Sequence, residues 1–172
     1  MKKVSFRNDV LPLKDMLFRV ALRITLNRAE AEDVVQETLI KVWNRREQWD
    51  QIESMEAFTT TICRNLALDR QKLMDNQSQL LDTADHDTAD LSAASNPEVQ
   101  AEANDRIELV KRLMDRLPEK QRTCMQLRDI EGKAYKEIAS VMGITEQQVK
   151  VNIFRARQTV KQQFLETDKY GL

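Results

Sequence analysis

The sequence is poor in residues that break helices. It has only 3 glycines and 3 prolines, and aromatic residues make up 5% of its 172 positions. Leu, Ala, Glu, Gln, Lys and Arg, which favour helices over strands, are abundant instead. We therefore expect an all-α fold.

Cysteine and histidine are scarce as well. Cys63 and Cys124 stand far apart, no CxxC pair occurs, and His86 is the single histidine. A zinc site needs more ligands at closer spacing, so we expect neither a metal nor another cofactor. The chain also lacks the pattern of a nucleophile beside a base and a phosphate-binding loop. An enzyme is therefore the least favoured class.

Long apolar runs are missing too. No stretch approaches the ~18 uninterrupted apolar residues that a membrane span needs, and the first nine residues turn polar too early for a signal peptide. Two cysteines without a pairing pattern are typical of a reducing compartment. These features predict a cytoplasmic protein without direct membrane insertion.

Charge is unevenly distributed along the chain. The net charge is −1, but residues 75–104 contain 7 acidic side chains and no basic one, while both flanking segments are basic overall. Residues 76–96 are too polar to bury much apolar surface, so we predict a flexible acidic linker there. A spacer that only improves solubility would also explain the acidic run. The linker would separate two small helical domains, residues 1–75 and 97–172.

Apolar residues recur at helical spacing on both sides of this linker. In the first domain they predict a three-helix bundle, with helices from Val10 to Leu26, Asn27 to about Arg46 and Ser54 to about Met74. In the second they predict four helices that begin at Pro97, Pro118, Ala134 and Thr145, the last reaching about Phe164. The expected core positions of the bundle are Leu13, Leu17, Val20, Ala21, Ile24, Ala31, Val34, Val35, Thr38, Val42, Phe58, Ile62, Leu66 and Leu73.

Residues 134–149 have the pattern of a helix-turn-helix. Small Ala139 allows a second helix to cross closely, Gly143 supplies the turn, Ile144 fills the corner and Val149 faces inward. The second helix of such a motif enters the major groove of DNA. An ordinary corner between two helices of a bundle is the alternative interpretation.

The outward face of the last helix is suited to DNA. At ~100° per residue its buried side comprises Val149, Ile153, Ala156 and Val160. Amide and guanidinium groups opposite can read base edges, and flanking basic groups suit phosphates. The candidate contacts are Gln148, Lys150, Val151, Asn152, Phe154, Arg155 and Arg157. Phe154 could touch thymine methyl groups or pack on a neighbouring domain.

Two helices of the first domain carry further candidates. The second helix gathers Asp33, Gln36, Glu37 and Ile40 opposite its core side, which suits a basic helical partner with a central apolar contact. A plain solvated face would look the same. On the third helix we expect DNA contacts from basic and amide groups, and we expect Asp69 to hold an arginine, with Arg23 as a candidate. That helix carries Arg64, Asn65, Asp69 and Arg70.

Four runs of the sequence resemble extracytoplasmic-function (ECF) sigma factors, the minimal branch of the sigma-70 family of bacterial RNA polymerase. They are residues 31–43 (AEDVVQETLIKVW), 64–69 (RNLALD), 117–122 (LPEKQR) and 149–157 (VKVNIFRAR), and they occur in the family's order. The resemblance covers nearly the whole chain outside the predicted linker. It implies a factor that directs promoter-specific transcription initiation. Its partners would be the polymerase core, promoter DNA and an anti-sigma factor.

The resemblance also implies roles for the candidate residues. Those on the second helix would bind the clamp coiled coil of the largest polymerase subunit, and the core's flap would be a further contact. Those on the third helix would face the -10 element, and the loop with Trp49 would hold a flipped non-template base. The candidates on the last helix would read the -35 element. Gln148, Val151 and Asn152 replace the Thr, Ser and Arg that the family often has, which predicts a different -35 sequence.

A DNA-binding regulator that works without polymerase is the main alternative function. Its first domain would then be a sensor or a dimerisation module. Such a regulator would footprint its operator alone, whereas a sigma factor would need the core enzyme.

Overall fold

The computed structural model describes residues 3–80 and 102–169 of the protein, and no strand occurs within these two ranges. Three α-helices belong to the first range: α1 (Lys14–Thr25), α2 (Arg28–Asn44) and α3 (Met55–Leu80). Four belong to the second: α4 (Glu102–Asp115), α5 (Glu119–Met125), α6 (Tyr135–Met142) and α7 (Glu146–Lys169). The expected all-α class, with three helices and then four, is confirmed.

Local hydrogen bonds explain where several helices begin. The Asn27 side chain accepts from the backbone N–H of Glu30 at 3.0 Å, and Ser54 Oγ accepts from that of Ala57 at 3.1 Å. Thr145 and Gln148 cap α7 reciprocally, at 2.9 and 3.1 Å. Each bond satisfies a backbone donor that the first helical turn leaves unpaired. These three predicted caps are confirmed.

Three helix ends differ from the prediction. The chain around Pro12 forms a 3-10 turn, Leu11–Leu13, so α1 begins at Lys14 and not at Val10. At the other end of the bundle, α3 continues past Met74 to Leu80, and α7 continues past Phe164 to Lys169. Neither extension contains a glycine or proline that would stop a helix. The rest of the predicted linker and the predicted start at Pro97 lie outside the described residues.

The bundle core follows the predicted helical faces with one exception. Leu17, Val20 and Ile24 of α1 and Val34 and Val42 of α2 are fully buried. The exception is Leu73 of α3, which is 56% exposed. Arg70 already lies beside Glu30 in the first turn of α2, so residues after Arg70 extend past the start of α2 and lack a helix to pack against.

The two halves of the protein share a hydrophobic core. Buried side chains of α1, α2 and α3 form one continuous cluster with side chains of the second half, including Cys124, Leu127, Ile138, Val141 and Val149. A second cluster lies within the C-terminal half, where α4 and α5 pack on α7 through Leu113, Met114, Leu117, Met125, Ala156 and Val160. The halves are therefore in direct contact, and each contributes apolar surface to the boundary.

The corner between α6 and α7 has helix-turn-helix geometry. Gly143 ends α6 with φ +67° and ψ 34°, and the N–H of Ile144 donates to Ala139 O at 3.2 Å. Ile144 is half-buried and packs against the shared core, as the pattern predicts. Glycine adopts this left-handed conformation without the steric cost of a Cβ.

Replacement of Gly143 by alanine is expected to lower the free energy of unfolding by about 1–2 kcal/mol, the usual cost of a left-handed L-residue. A Cβ at Gly143 would meet no atom within 4 Å, so the cost comes from the backbone alone. Urea denaturation followed by circular dichroism measures it. Ser140→Ala, at an exposed position of α6, is the control and should change stability little. An unchanged unfolding midpoint for Gly143→Ala would contradict the assigned turn.

Candidate nucleic-acid interface and partner surface

The outward face of α7 is open to solvent. Gln148, Lys150, Phe154, Arg155 and Arg157 are exposed, while Val151 and Asn152 are half-buried beside them. The predicted inner positions Val149, Ile153, Ala156 and Val160 are all buried. Phe154 is 60% exposed, so most of its ring is left uncovered by the described residues. An apolar side chain held in solvent on this face suits contact with thymine methyl groups or sugars.

Some polar side chains of α7 already form hydrogen bonds or ion pairs within the protein, and others do not. Arg157 forms a two-point pair with Asp129, with Nε donating to Oδ2 at 3.0 Å, and this hydrogen bond raises the pKa of Arg157. Asn152 Nδ2 donates to the carbonyl of Gln148 at 2.8 Å, and the amide oxygen of Gln148 serves the helix cap. Arg155 is exposed and is absent from the ion pairs of the described residues. Arg155 is therefore the arginine on this face best placed to read a base.

Sequence reasoning missed an aromatic residue beneath the recognition helix. The Tyr135 ring lies 4.2 Å from the Arg128 guanidinium and 5.4 Å from Lys150 Nζ. Both are cation–π distances. Tyr135 therefore groups two positive charges at the start of the helix-turn-helix, where they suit DNA phosphates. An aromatic residue just after the Gly132 turn is also typical of ordinary core packing. The sequence therefore did not single out Tyr135 as a functional residue.

The α2 candidates form one outward strip. Asp33 and Gln36 are exposed, Glu37 is half-buried, and Ile40 is 60% exposed. Trp43, one turn beyond Ile40, extends the strip with an apolar ring that sequence reasoning did not select. It is held between Phe6, at 5.4 Å, and the Arg46 guanidinium, at 4.6 Å. The surface is thus acidic at one end and apolar at the other. We call Asp33, Gln36, Glu37, Ile40 and Trp43 the α2 strip.

Arg70 belongs to the acidic end of this strip. Its Nη1 donates to Glu30 at 2.8 Å and its Nη2 to Glu37 at 3.1 Å, and Nη2 also pairs with Asp33. The hydrogen bond to Glu30, followed by that to Asp33, raises the pKa of Arg70. Arg70 was predicted to face the -10 element with Arg64 and Asn65. In the structure Arg70 forms ion pairs with α2, and a DNA contact by Arg70 stays a prediction.

Trp49 anchors its loop from the inside. The loop contains a 3-10 turn, Arg46–Gln51, and the indole is only 7% exposed. Its Nε1 donates to Val42 O at 3.1 Å, and Phe6 stacks on the ring with centroids 6.3 Å apart. Gln48, Asp50 and Gln51 are exposed on the same loop. A base contact by Trp49 itself stays a prediction and would require the loop to open.

The other -10 candidates lie where the two halves meet. Arg64 is 8% exposed and forms a two-point pair with Glu119 of α5, at 3.1 and 3.0 Å. Asn65 is exposed and lines a cleft of about 870 Å³ between α3 and α6. Lys136 and Ser140 of α6 form the opposite side of that cleft. Asn65 is therefore open to solvent on one wall of the cleft, while Arg64 is covered where the two halves meet.

Arg23 does not pair with Asp69 as expected. Arg23 Nη1 donates to Asp115 at 2.7 Å, and Nε donates to the buried Gln126 at 3.0 Å. Asp69 lies on an exposed position of α3. The packing of the two halves explains the difference. The second half covers the end of α1 and supplies acceptors that the sequence of the bundle does not contain.

Ion pairs join the two halves at several points. Arg19 forms a two-point pair with Glu131 at 2.8 and 2.7 Å, and this hydrogen bond raises the pKa of Arg19. Further pairs across the boundary are Arg23–Asp115, Arg64–Glu119 and Lys133–Glu56. In three of the four, the arginine comes from the first half and the carboxylate from the second. The contact between halves is therefore electrostatic as well as apolar.

The two cysteines are structural. Both are fully buried, and burial raises the pKa of the Cys63 thiol to about 12 and that of Cys124 to about 11. Thiols with such pKa values are poor nucleophiles at neutral pH. Within residues 3–80 and 102–169, no three His, Cys, Asp or Glu side chains are grouped as metal ligands would be. None of the helices in the same ranges is long and apolar enough to cross a bilayer.

An exposed recognition helix on a helix-turn-helix, packed beside a bundle with an acidic outer strip, defines a two-part helical DNA-binding protein. Family models give a more specific class. Residues 10–73 match sigma-70 region 2, and residues 107–160 match sigma-70 region 4. Together these segments cover more than half of the chain. The chain belongs to the sigma-70 family.

Individual relatives agree with this assignment. The chain is 31% identical over 165 residues to the probable RNA polymerase sigma factor RfaY of Xanthomonas campestris, covering 94% of this chain and 41% of that protein. It is 31% identical over 142 residues to the ECF RNA polymerase sigma factor SigL of Mycobacterium tuberculosis, covering 82% of this chain and 78% of SigL. This match assigns the chain to the ECF branch of the family. The chain thus spans less than half of the Xanthomonas relative and about three quarters of the Mycobacterium one.

Solved structures share the fold across both halves. The sigma factor RpoE of Bartonella quintana, in complex with the anti-sigma factor NepR, aligns with a TM-score of 0.77 at 23% identity. That alignment covers 95% of this chain and 98% of RpoE. CnrH, in complex with the cytosolic domain of CnrY, aligns with a TM-score of 0.68 at 20% identity, covering 95% of this chain and 88% of CnrH.

Proposed function

We propose that this protein is a sigma factor that binds the RNA polymerase core and directs it to specific promoters. The exposed outward face of α7, on a region 4 module that follows a region 2 module, carries the proposal. The protein itself forms or breaks no covalent bond in the reaction. It supplies recognition, and its binding energy offsets part of the cost of unstacking promoter bases.

The division of labour follows the surfaces. The α2 strip binds the clamp coiled coil of the core's largest subunit, and the second half meets the flap. The face of α7 reads the -35 element, with Arg155 as its base-reading arginine and Lys150 near a phosphate. Asn65 and the loop around Trp49 serve the -10 element. Arg64, the neighbouring -10 candidate, reaches DNA only after its pair with Glu119 opens, because its side chain is buried where the two halves meet.

We also propose that an anti-sigma factor restrains this chain. The solved relatives RpoE and CnrH, which share the fold over 95% of the chain, were captured with NepR and CnrY. A protein in which the contact between the halves buries Arg64 is a suitable target for a partner that stabilises this arrangement. Such a partner would need only to bind the packed form more tightly than the open one.

Replacement of Arg155 by alanine is expected to cost about 1–3 kcal/mol in discrimination for the cognate -35 base that it contacts. Binding of holoenzyme to promoters that differ at single -35 positions measures this. Arg157→Ala is the comparison. The Arg157 guanidinium already bonds Asp129, so its loss should change the affinity for all -35 sequences alike. Equal loss on every sequence for Arg155→Ala would make Arg155 a phosphate contact.

Transcript mapping tests the function as a whole. Purified protein is mixed with a bacterial core enzyme and genomic DNA, and the starts that depend on the protein are mapped. With a sigma factor, the mapped transcription start sites share -35 and -10 sequences. The protein then protects these sequences in a footprint only when core is present. A footprint on the same sites without core, and no new transcripts with it, would instead support the regulator.

A further inference from the structure

One guanidinium holds three carboxylates of α2 together. Glu30, Asp33 and Glu37 occupy positions i, i+3 and i+7, so they lie along one face of the helix. Arg70 reaches over from α3 and bonds all three, with Nη1 on Glu30 and Nη2 on both Asp33 and Glu37. The two residues of each pair are separated by between 33 and 40 positions in the sequence.

We infer that Arg70 is a positioning residue of the polymerase-binding surface and that it does not contact promoter DNA. The inference deepens the proposed function and rests on the α2 strip being that surface. Asp33 and Glu37 are two of the strip's charged groups, and the same nitrogen of Arg70 contacts both. A guanidinium that left to meet a phosphate would abandon three carboxylates.

Arg70 orders the three carboxylates but does not cancel their negative charge. Three carboxylates on one helix face repel one another, and like charges at this spacing are destabilising. One arginine relieves the repulsion but leaves a net charge of −2 for a basic partner. Each carboxylate gives Arg70 one oxygen, namely Glu30 Oε2, Asp33 Oδ2 and Glu37 Oε2. The second oxygen of each can accept a bond from the partner.

Glu30 is the anchor of the set. It lies in the first turn of α2, outside the strip, and Arg70 Nη1 is devoted to it. The planar fork of arginine can bond Glu30 at one nitrogen and the two strip residues at the other. Lysine offers a single ammonium group in place of this fork. Arg70→Lys should therefore restore charge but only part of the geometry.

The predicted signature lies in the dissociation rate of the complex with core. Loss of Arg70 makes the strip more negative, so the association rate with a basic partner should not fall. The complex should dissociate faster, because two carboxylates must then be ordered on binding. We expect Arg70→Gln to raise the dissociation rate about fivefold to tenfold, with Arg70→Lys in between.

The experiment measures association and dissociation of full-length protein with polymerase core by surface plasmon resonance. The single variants are Arg70→Gln, Arg70→Lys and Glu30→Gln. The double variants are Glu30→Gln/Arg70→Gln and Asp33→Asn/Glu37→Gln. Lys72→Gln, which removes a positive charge from an exposed position on the same helix, is the matched control. Each variant's thermal unfolding is recorded. Holoenzyme formed at saturating protein is then tested on promoters that differ only in the -10 element.

The expected result is faster dissociation for Arg70→Gln, a similar effect for Glu30→Gln, and little added effect in the double variant. Lys72→Gln should match the parent protein, and -10 discrimination by saturated holoenzyme should be unchanged for Arg70→Gln. Unchanged or slower dissociation, or a loss of -10 binding at normal core affinity, overturns the inference. If Asp33→Asn/Glu37→Gln weakens core binding but Arg70→Gln does not, only this inference fails. If neither changes core binding, the assigned polymerase surface fails as well.

Discussion

Replacement of Asp33 and Glu37 by lysine is expected to abolish binding to the polymerase core. The change converts the acidic end of the α2 strip from net negative to net positive, while Arg70 adds its own charge. A basic partner helix would then face like charges, which cost several kcal/mol at an interface. The loss should exceed 100-fold in Kd and should come with loss of promoter-specific transcripts.

The controls separate charge from folding. Glu32→Lys/Glu47→Lys produces the same change in net charge at exposed positions outside the strip and should leave core affinity near that of the parent. Asp33→Asn/Glu37→Gln keeps the side-chain shapes and should give an intermediate loss. Circular dichroism checks that helix content is retained. Undiminished core affinity in the lysine variant would remove the α2 strip from the polymerase interface.

The local features of this fold could be read from the sequence. The caps at Asn27, Ser54 and Thr145 each need only a side-chain acceptor and a neighbouring N–H three residues on, so short-range pattern was sufficient. The buried faces of α1, α2 and α7 follow from helical periodicity for the same reason. Periodicity failed at Leu73, because the length of the neighbouring helix decides whether an apolar residue there is covered.

The partners of the arginines could not be read in this way. Periodicity shows which face of a helix a side chain occupies but not which helix will stand opposite. Arg64 and Arg70 were predicted to contact DNA because basic groups suit phosphates, and the sequence did not predict a carboxylate partner for either. Glu119 lies 55 positions from Arg64, and Glu30 lies 40 from Arg70. Only the packing of the halves and of α2 on α3 brings these carboxylates to them.

The contact between the halves also limits the -10 site, so opening it should have a large effect. Glu119→Arg would place a second guanidinium against Arg64, where both parent side chains are at most about one fifth exposed. Breaking a buried pair by removing one partner commonly costs about 3–5 kcal/mol. A shift of 3 kcal/mol towards the open form is more than 100-fold in the equilibrium, since 1.36 kcal/mol is tenfold.

The open form should be visible without polymerase. We expect Glu119→Arg to raise the radius of gyration in solution scattering above the ~16 Å of a compact chain of this length. Binding of single-stranded DNA with the mapped -10 sequence should tighten at least tenfold, because Arg64 is then released from its carboxylate partner. Glu108→Arg, an exposed position whose partner Lys111 lies on the same helix, should change neither quantity.

A charge swap tests the Arg64–Glu119 pair directly. Arg64→Glu/Glu119→Arg should restore the compact radius, because the pair is rebuilt with its ends exchanged. Its scattering curve, and not its DNA binding, is the readout, since Arg64 is itself a candidate for the -10 element. If Glu119→Arg keeps both the compact radius and the parent's DNA affinity, the Arg64–Glu119 pair does not hold the halves together. The apolar part of the boundary around Leu127 and Ile138 would then hold the halves together.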